Sequence, residues 1–204
     1  MNIREIEQKL SGHEPELMGV RGHYAVLVPL VEKEGSVHVL LEVRSDTLGR
    51  QPGEVCFPGG KMEPGEGVTQ CAFRETWEEL GIPPSAIRPI ARLDLLHHQN
   101  GNLMFPLLAQ LDPDCLTSLR PNLDEVKEAF LVPLDFLREN SPQVYTYALQ
   151  PDVGEDFPYE RIGFPNGYAW APGKVEVPIW NYKNHAIWGM TARILLWLLS
   201  WLRD

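Results

Sequence analysis

One window of 23 residues, Gly60 to Ile82, constrains this chain more than any other part of its sequence. It reads GKMEPGEGVTQCAFRETWEELGI. A glycine-rich turn leads into a run with helical periodicity, and Gly81 followed by Pro83 and Pro84 is a typical helix end. The window therefore predicts a turn followed by a helix from about residue 68 to residue 80.

The predicted helix concentrates negative charge on one face. At about 100° per residue, Glu75, Glu78 and Glu79 share an arc, and like charges at these spacings repel. The opposite arc carries the apolar side chains that we expect to face a core: Phe73, Trp77 and Leu80. Arg74 can offset part of the repulsion by reaching Glu78 or Glu66, and a divalent cation can offset the rest.

A solvated acidic helix face is the alternative interpretation of these glutamates. The turn before the helix, Phe57-Pro58-Gly59-Gly60, favours a binding site instead. Adjacent glycines let the backbone approach a ligand closely, and a loop of this kind at a helix start is a common phosphate-site layout. The combination predicts a site for a divalent metal and phosphate.

The window from Gly60 to Ile82 matches the Nudix box in full, and the chain resembles a Nudix hydrolase. The resemblance implies an α/β fold, an α/β/α sandwich with a mixed central sheet. It also implies Mg²⁺- or Mn²⁺-dependent hydrolysis of a nucleoside diphosphate linked to another moiety. By the same resemblance the metal ligands would be Glu75, Glu78, Glu79 and the carbonyl of Gly59. Arg74 and Glu66 match positions that orient these ligands.

The flanks of the box are similar to the coenzyme A pyrophosphatase subfamily. LLEVRS at 40–45 and GEVCFPGG at 53–60 follow its extended signature, and IWGMTARIL at 187–195 follows a second segment. One departure is Arg50, which lies one place after the position expected for the second arginine. The resemblance implies that coenzyme A is cleaved to 3′,5′-ADP and 4′-phosphopantetheine, with substrate contacts from Arg44, Arg50, Gly60 and Glu66.

Several alternatives remain at this stage. The substrate could be another conjugate, such as a dinucleotide, a nucleotide sugar or ADP-ribose, or the chain could be a non-catalytic nucleotide-binding module. The residue that activates water is a box glutamate, Glu78 or Glu79, or a carboxylate from a later loop. In that loop Glu125 is preferred to Glu128, and both could instead be surface charges.

Composition limits the remaining possibilities. With 204 residues, 44% of them hydrophobic, the chain predicts one domain over 1–204 with a helical extension at about 1–20 and a helix at about 185–203. A net charge of −10 argues against a nucleic-acid partner. Three cysteines and a charged N-terminus predict a cytoplasmic protein. The apolar stretch near the C-terminus is too short to span a membrane and predicts core packing or a homodimer contact.

Overall fold

A hairpin of two long apolar strands lies at the centre of the molecule. The computed structural model describes residues 1–203, and the hairpin consists of β1 (Gly22–Lys33) and β2 (Ser36–Arg44). The turn between them uses Glu34 and Gly35, both with positive φ, as a tight hairpin turn requires. The parallel neighbour of β1 is β7 (Asn102–Leu111), so the sheet is mixed, as predicted.

Five shorter strands complete the eight-stranded central sheet. They are β3 (Val55–Cys56), β4 (Gly59–Lys61), β5 (Ile87–Arg92), β6 (Leu96–His97) and β8 (Val126–Pro133). The main order is β3-β2-β1-β7-β5, while β4 pairs with β1, β6 with β7 and β8 with β2. Because β4 and β1 are antiparallel neighbours, the glycine-rich turn is fixed against the middle of the sheet.

A smaller antiparallel sheet is formed by the segment that is rich in aromatic residues. Its order is β11-β10-β9, with β9 (Gln143–Leu149), β10 (Gly173–Tyr182) and β11 (His185–Trp188). Residues 143–149 and 174–180 both lie in strands of this sheet. Trp180 anchors this sheet, since it is buried and its Nε1 donates a hydrogen bond to the carbonyl of Asn140.

Helices cover both faces of the central sheet. On one face α2 (Val68–Leu80) packs against Ala25, Leu27 and Leu40. On the other face α3 (Leu134–Glu139) and α4 (Gly189–Trp201) pack against a cluster that includes Val39 and Leu41. Side chains of a strand alternate between the two faces of a sheet, which is why neighbouring residues of β2 enter different clusters. The predicted α/β/α sandwich is thus confirmed.

The N-terminal helix lies within the extension expected at about 1–20, whereas the C-terminal helix is shorter than the expected range of about 185–203. The first helix, α1, covers only Ile3–Leu10, with a capping box between Asn2 and Glu5, and residues 11–20 are not helical. At the other end, residues 185–188 form β11, and the helix begins at Gly189, whose φ is positive. The hydrophobic residues at 185–203 belong first to a strand and then to a helix, and the sequence analysis assigned all of them to a single helix. Within residues 1–203, none of the helices is long and apolar enough to cross a membrane.

Candidate active site

The side chains with candidate roles converge on one cavity of about 410 Å³ between α2, the glycine-rich turn and the start of α4. Of the residues predicted for the site, seven line it: Arg44, Arg50, Gly59, Gly60, Glu75, Glu79 and Glu125. Three others, Glu66, Arg74 and Glu78, do not line it. These three belong to the site through contacts on α2, which are described next.

The helix α2 points two carboxylates at the sheet rather than at solvent. Its buried residues include Ala72, Thr76 and Glu79, whereas Trp77 is 57% exposed. The expectation that Trp77 and its apolar neighbours face the core, opposite the glutamates, is therefore wrong for Trp77. The small side chains at 71, 72 and 76 let the helix approach the sheet closely, and Glu75 and Glu79 lie on that same arc.

Arg74 organises three of the carboxylates. Its Nε and Nη2 donate to both oxygens of Glu66, at 2.9 and 3.0 Å. Its Nη1 donates to Glu75 Oε1 at 2.8 Å and to Glu78 Oε2 at 3.0 Å. These bonds from Arg74 lower the pKa of Glu66 to about 2. The predicted contacts of Arg74 with Glu66 and Glu78 are both present, and they hold the glutamate cluster in one arrangement.

Two glycines bring the turn against these glutamates. The backbone N–H of Gly59 donates to Glu79 Oε2 at 2.8 Å. A Cβ on Gly60 would lie 2.3 Å from the carboxyl carbon of Glu75. The turn therefore needs glycine at both positions, because any side chain there would displace a carboxylate or the strand behind it.

Uncompensated negative charge characterises the site. Burial raises the pKa of Glu75, and burial together with the neighbouring Glu42 carboxylate raises the pKa of Glu79. Neither Glu79 nor Glu125 forms an ion pair with any of residues 1–203. A cation is the natural complement of such a charge distribution.

Glu42 is a buried carboxylate beside the cavity that sequence reasoning did not single out. It is fully buried in β2, and its pKa is raised to about 7 by burial, against the opposing effect of a hydrogen bond from Cys56. The signal was present, because Glu42 interrupts the apolar run VLLEV in a strand that is covered on both faces. A charged residue at such a position is rarely structural.

The two arginines expected at the substrate lie side by side at the cavity. Arg44 Nη2 donates to the backbone carbonyl of Arg50 at 3.4 Å, and both side chains line the cavity. The Nε of Arg44 is buried without a partner. The displaced position of Arg50 in the sequence thus does not remove it from the site.

The structure separates the two later carboxylates. Glu125 lines the cavity, and its carbonyl accepts a hydrogen bond from the N–H of Ser45. Glu128 instead accepts a hydrogen bond from His185 Nε2 at 3.0 Å, and it does not line the cavity. Of the two alternatives for a loop carboxylate, Glu125 is the one placed at the site.

One wall of the cavity comes from α4 and was not predicted as part of the site. Met190, Thr191 and Ile194 line it, and Thr191 Oγ1 donates to the carbonyl of Val55 at 3.0 Å. The loop residues His98 and Asn100 also line the cavity. The family-like segment IWGMTARIL is therefore connected to the site, a link that its motif alone does not show.

The donor set fits a hard divalent cation by its chemistry. Carboxylate oxygens and backbone carbonyls are the ligands of Mg²⁺ and Mn²⁺. Among residues 1–203, however, no three His, Cys, Asp or Glu side chains already stand at metal-binding geometry. Glu75 and Glu79 are held by Arg74 and Gly59, so binding requires their side chains to adjust.

Comparison with known proteins agrees with the geometry. The NUDIX domain model matches residues 21–148. The peroxisomal coenzyme A diphosphatase of Mus musculus is 42% identical over 135 residues, 66% of this chain and 56% of that protein. The chain thus spans just over half the length of that relative. The mitochondrial coenzyme A diphosphatase of Homo sapiens is 34% identical over 187 residues, 91% of this chain and 71% of that protein.

One solved structure resembles part of this chain. It is a Nudix hydrolase from M. Smegmatis, RenU, with a TM-score of 0.49 and 22% identity over 58% of this chain and 74% of that chain. The family model alone covers more than half of the chain, including the whole box. The chain belongs to the Nudix hydrolase family.

Proposed function

We propose that this protein is a divalent-cation-dependent coenzyme A diphosphatase, which releases 3′,5′-ADP and 4′-phosphopantetheine or its acyl derivative. The observation that carries the proposal is one cavity lined both by box carboxylates, Glu75 and Glu79, and by arginines of the coenzyme A signature, Arg44 and Arg50. The similarity to mammalian coenzyme A diphosphatases supports the same substrate.

Members of this family require divalent cations, and we propose Mg²⁺ or Mn²⁺ here. Glu75, Glu79 and the carbonyl of Gly59 would hold the ion, with Glu78 at the outer end of the cluster. A bound divalent ion supplies electrostatic stabilisation of the pyrophosphate charge and makes water easier to deprotonate.

The chain's own residues divide the remaining work. Arg44 and Arg50 bind phosphate oxygens and stabilise the charge of the departing phosphate. Arg74 and Glu66 keep the carboxylates in position. Glu125, whose side chain reaches the cavity without an ion-pair partner, accepts the proton of the attacking water. Glu79 is the alternative base, as the sequence left open.

The cavity also offers an apolar side that suits the non-nucleotide arm. Met104, Met190 and Ile194 are among its lining residues. A thiol or acyl pantetheine arm is less polar than a second nucleotide. This arrangement therefore favours coenzyme A over a dinucleotide or a nucleotide sugar.

A substrate panel with a matched variant tests the proposal. Wild-type protein and Glu79→Gln are assayed with coenzyme A, acyl-coenzyme A, ADP-ribose and a dinucleoside polyphosphate, each with Mg²⁺ and with Mn²⁺. We expect the highest kcat/KM for coenzyme A species and a loss of at least about 100-fold in Glu79→Gln. Preference for another conjugate refutes the substrate, and near-normal turnover of Glu79→Gln refutes the metal assignment.

Compartment and assembly need separate measurements. We propose a cytoplasmic location, which the three free cysteines support, although the relatives' names specify peroxisome and mitochondrion. Fractionation of the native cell tests this.

A homodimer also stays a prediction. The helix α4, which could contribute to a dimer contact, already packs part of its apolar surface in the chain's own core, including Leu195 and Leu198. Light scattering would give the mass of the protein in solution and so test the homodimer.

A further inference from the structure

Glu42 occupies an unusual position for a carboxylate. It lies in β2, where it is paired with Cys56 of β3 and with Ala129 of β8, and none of its surface is exposed. Leu40, two residues earlier, packs in the cluster under α2, while Leu41 belongs to the opposite cluster. By the alternation of a strand, Glu42 therefore points to the face that carries Glu75 and Glu79.

The hydrogen bonds of Glu42 leave one oxygen free. Cys56 Sγ donates to Oε1 at 3.3 Å, whereas Oε2 is buried and has no partner. Cys56 itself lines the cavity, so Glu42 lies directly behind the cavity wall. A buried carboxylate oxygen without a partner costs free energy, and native proteins rarely retain one without a reason.

Positive charge near Glu42 comes from Arg44, which does not pair with it directly. In the chain from 1 to 203 Glu42 forms no ion pair, although Arg44 is close enough to favour its charge. The other charges that act on it are the carboxylates of Glu125 and Glu75. A bound cation would supply the partner that Oε2 lacks within residues 1–203.

We propose that Glu42 is a further carboxylate of the divalent-cation site, where its free oxygen Oε2 would help Glu79 and Glu75 to hold the ion. Cys56 acts as a positioning residue, since its thiol holds Oε1 and leaves Oε2 available. The inference rests on the metal site of the proposed function, but not on the identity of the substrate. It assigns a metal role to a residue that lies outside the Nudix box.

Metal binding by the whole protein, without substrate, tests the role of Glu42. Protein stripped with EDTA is titrated with MnCl₂ by calorimetry and by thermal unfolding, for wild type, Glu42→Gln, Glu79→Gln and Glu128→Gln. Gln keeps the shape and can still accept the bond from Cys56, so only the charge is removed. Glu128→Gln is the matched control, because it removes a carboxylate from the adjacent strand at a site outside the cavity.

A reversal of the stability order is the expected result. Without metal, Glu42→Gln melts at or above the temperature of wild type, because a buried unpaired charge is gone. With saturating Mn²⁺ it melts below wild type, and its Mn²⁺ dissociation constant is about 10- to 100-fold higher, as for other groups that tune a metal site. The control binds Mn²⁺ as wild type does.

Other outcomes would overturn the inference in distinguishable ways. Wild-type Mn²⁺ affinity in Glu42→Gln, with weakened affinity in Glu79→Gln, makes Glu42 structural and leaves the proposed function intact. Absence of Mn²⁺ binding by wild-type protein overturns both. If Glu42→Gln does not fold, Glu42→Asp is measured instead, since it retains the charge on a shorter side chain. An unchanged Mn²⁺ affinity in Glu42→Asp refutes the role of Glu42 Oε2 in binding the ion.

Discussion

Alanine at Gly59 and alanine at Gly60 should produce opposite phenotypes, although the two residues are adjacent. Gly59 has φ of 150°, which side chains rarely adopt, and an added Cβ would lie 2.4 Å from the carbonyl oxygen of Ala25 and 2.6 Å from Cα of Val26. Both atoms belong to the backbone of β1 and cannot move alone. Strain of about 1–3 kcal/mol and overpacking of about 1–3 kcal/mol give a loss of roughly 2–6 kcal/mol.

Gly60 has no positive φ, and the three atoms nearest to its added Cβ all belong to the carboxyl group of Glu75, the first at 2.3 Å. That end of the side chain is flexible, so Glu75 moves and the sheet does not. We expect Gly60→Ala to keep wild-type stability within about 1 kcal/mol but to lose most of its metal-dependent turnover.

Urea unfolding and turnover measured on the same preparations distinguish the two variants. With a slope of about 2 kcal/mol per molar urea, Gly59→Ala should lower the unfolding midpoint by about 1–3 M, and Gly60→Ala by less than about 0.5 M. Equal midpoints for Gly59→Ala and wild type would refute the packing of the turn against β1. Full activity in Gly60→Ala would refute the requirement for Glu75 in its observed position.

Three further predictions concern charge, substrate and core. The pKa of Glu66 is lowered from 4.5 to about 2, so its bond with Arg74 stabilises the fold fully above the unfolded pKa and is lost as the pH falls towards 2. The free energies of unfolding of wild type and Glu66→Gln, measured with urea, should therefore differ near neutral pH and converge in acid. A difference that stays constant with pH would contradict this. Arg44→Ala should reduce kcat/KM for coenzyme A about 10- to 100-fold, because a charge-assisted hydrogen bond to the substrate is lost. The urea unfolding midpoint of this variant should equal that of wild type, which shows that the fold is intact. Leu195→Ala, at a fully buried position of α4, should cost about 2–5 kcal/mol by the same unfolding assay, and a loss under 1 kcal/mol would place α4 outside the core.

The sequence predicts this fold well where its pattern is local and strongly periodic. The helix α2 begins at Val68 and ends at Leu80, at the predicted positions, because Gly81 adopts a left-handed C-cap. The contacts of Arg74 with Glu66 and Glu78 also follow from spacing alone. These features depend on neighbours within about ten residues, which a single sequence displays directly.

Features that depend on tertiary packing could not be read in this way. The face of α2 that packs on the sheet is an example. The hydrophobic pattern of a helix does not identify the packed face when a carboxylate is itself buried there, as Glu79 is. The convergence of Thr191 with Val55 joins residues far apart in the chain. The boundary at Gly189 was missed because β11 and α4 are both apolar.

Product analysis tests the central claim most directly. Purified protein is incubated with coenzyme A and Mn²⁺ or Mg²⁺, with an EDTA control, and the products are resolved by mass. The account predicts 3′,5′-ADP and 4′-phosphopantetheine in equal amounts, and neither product in EDTA. Intact coenzyme A under conditions in which the protein is folded and binds the metal would contradict it.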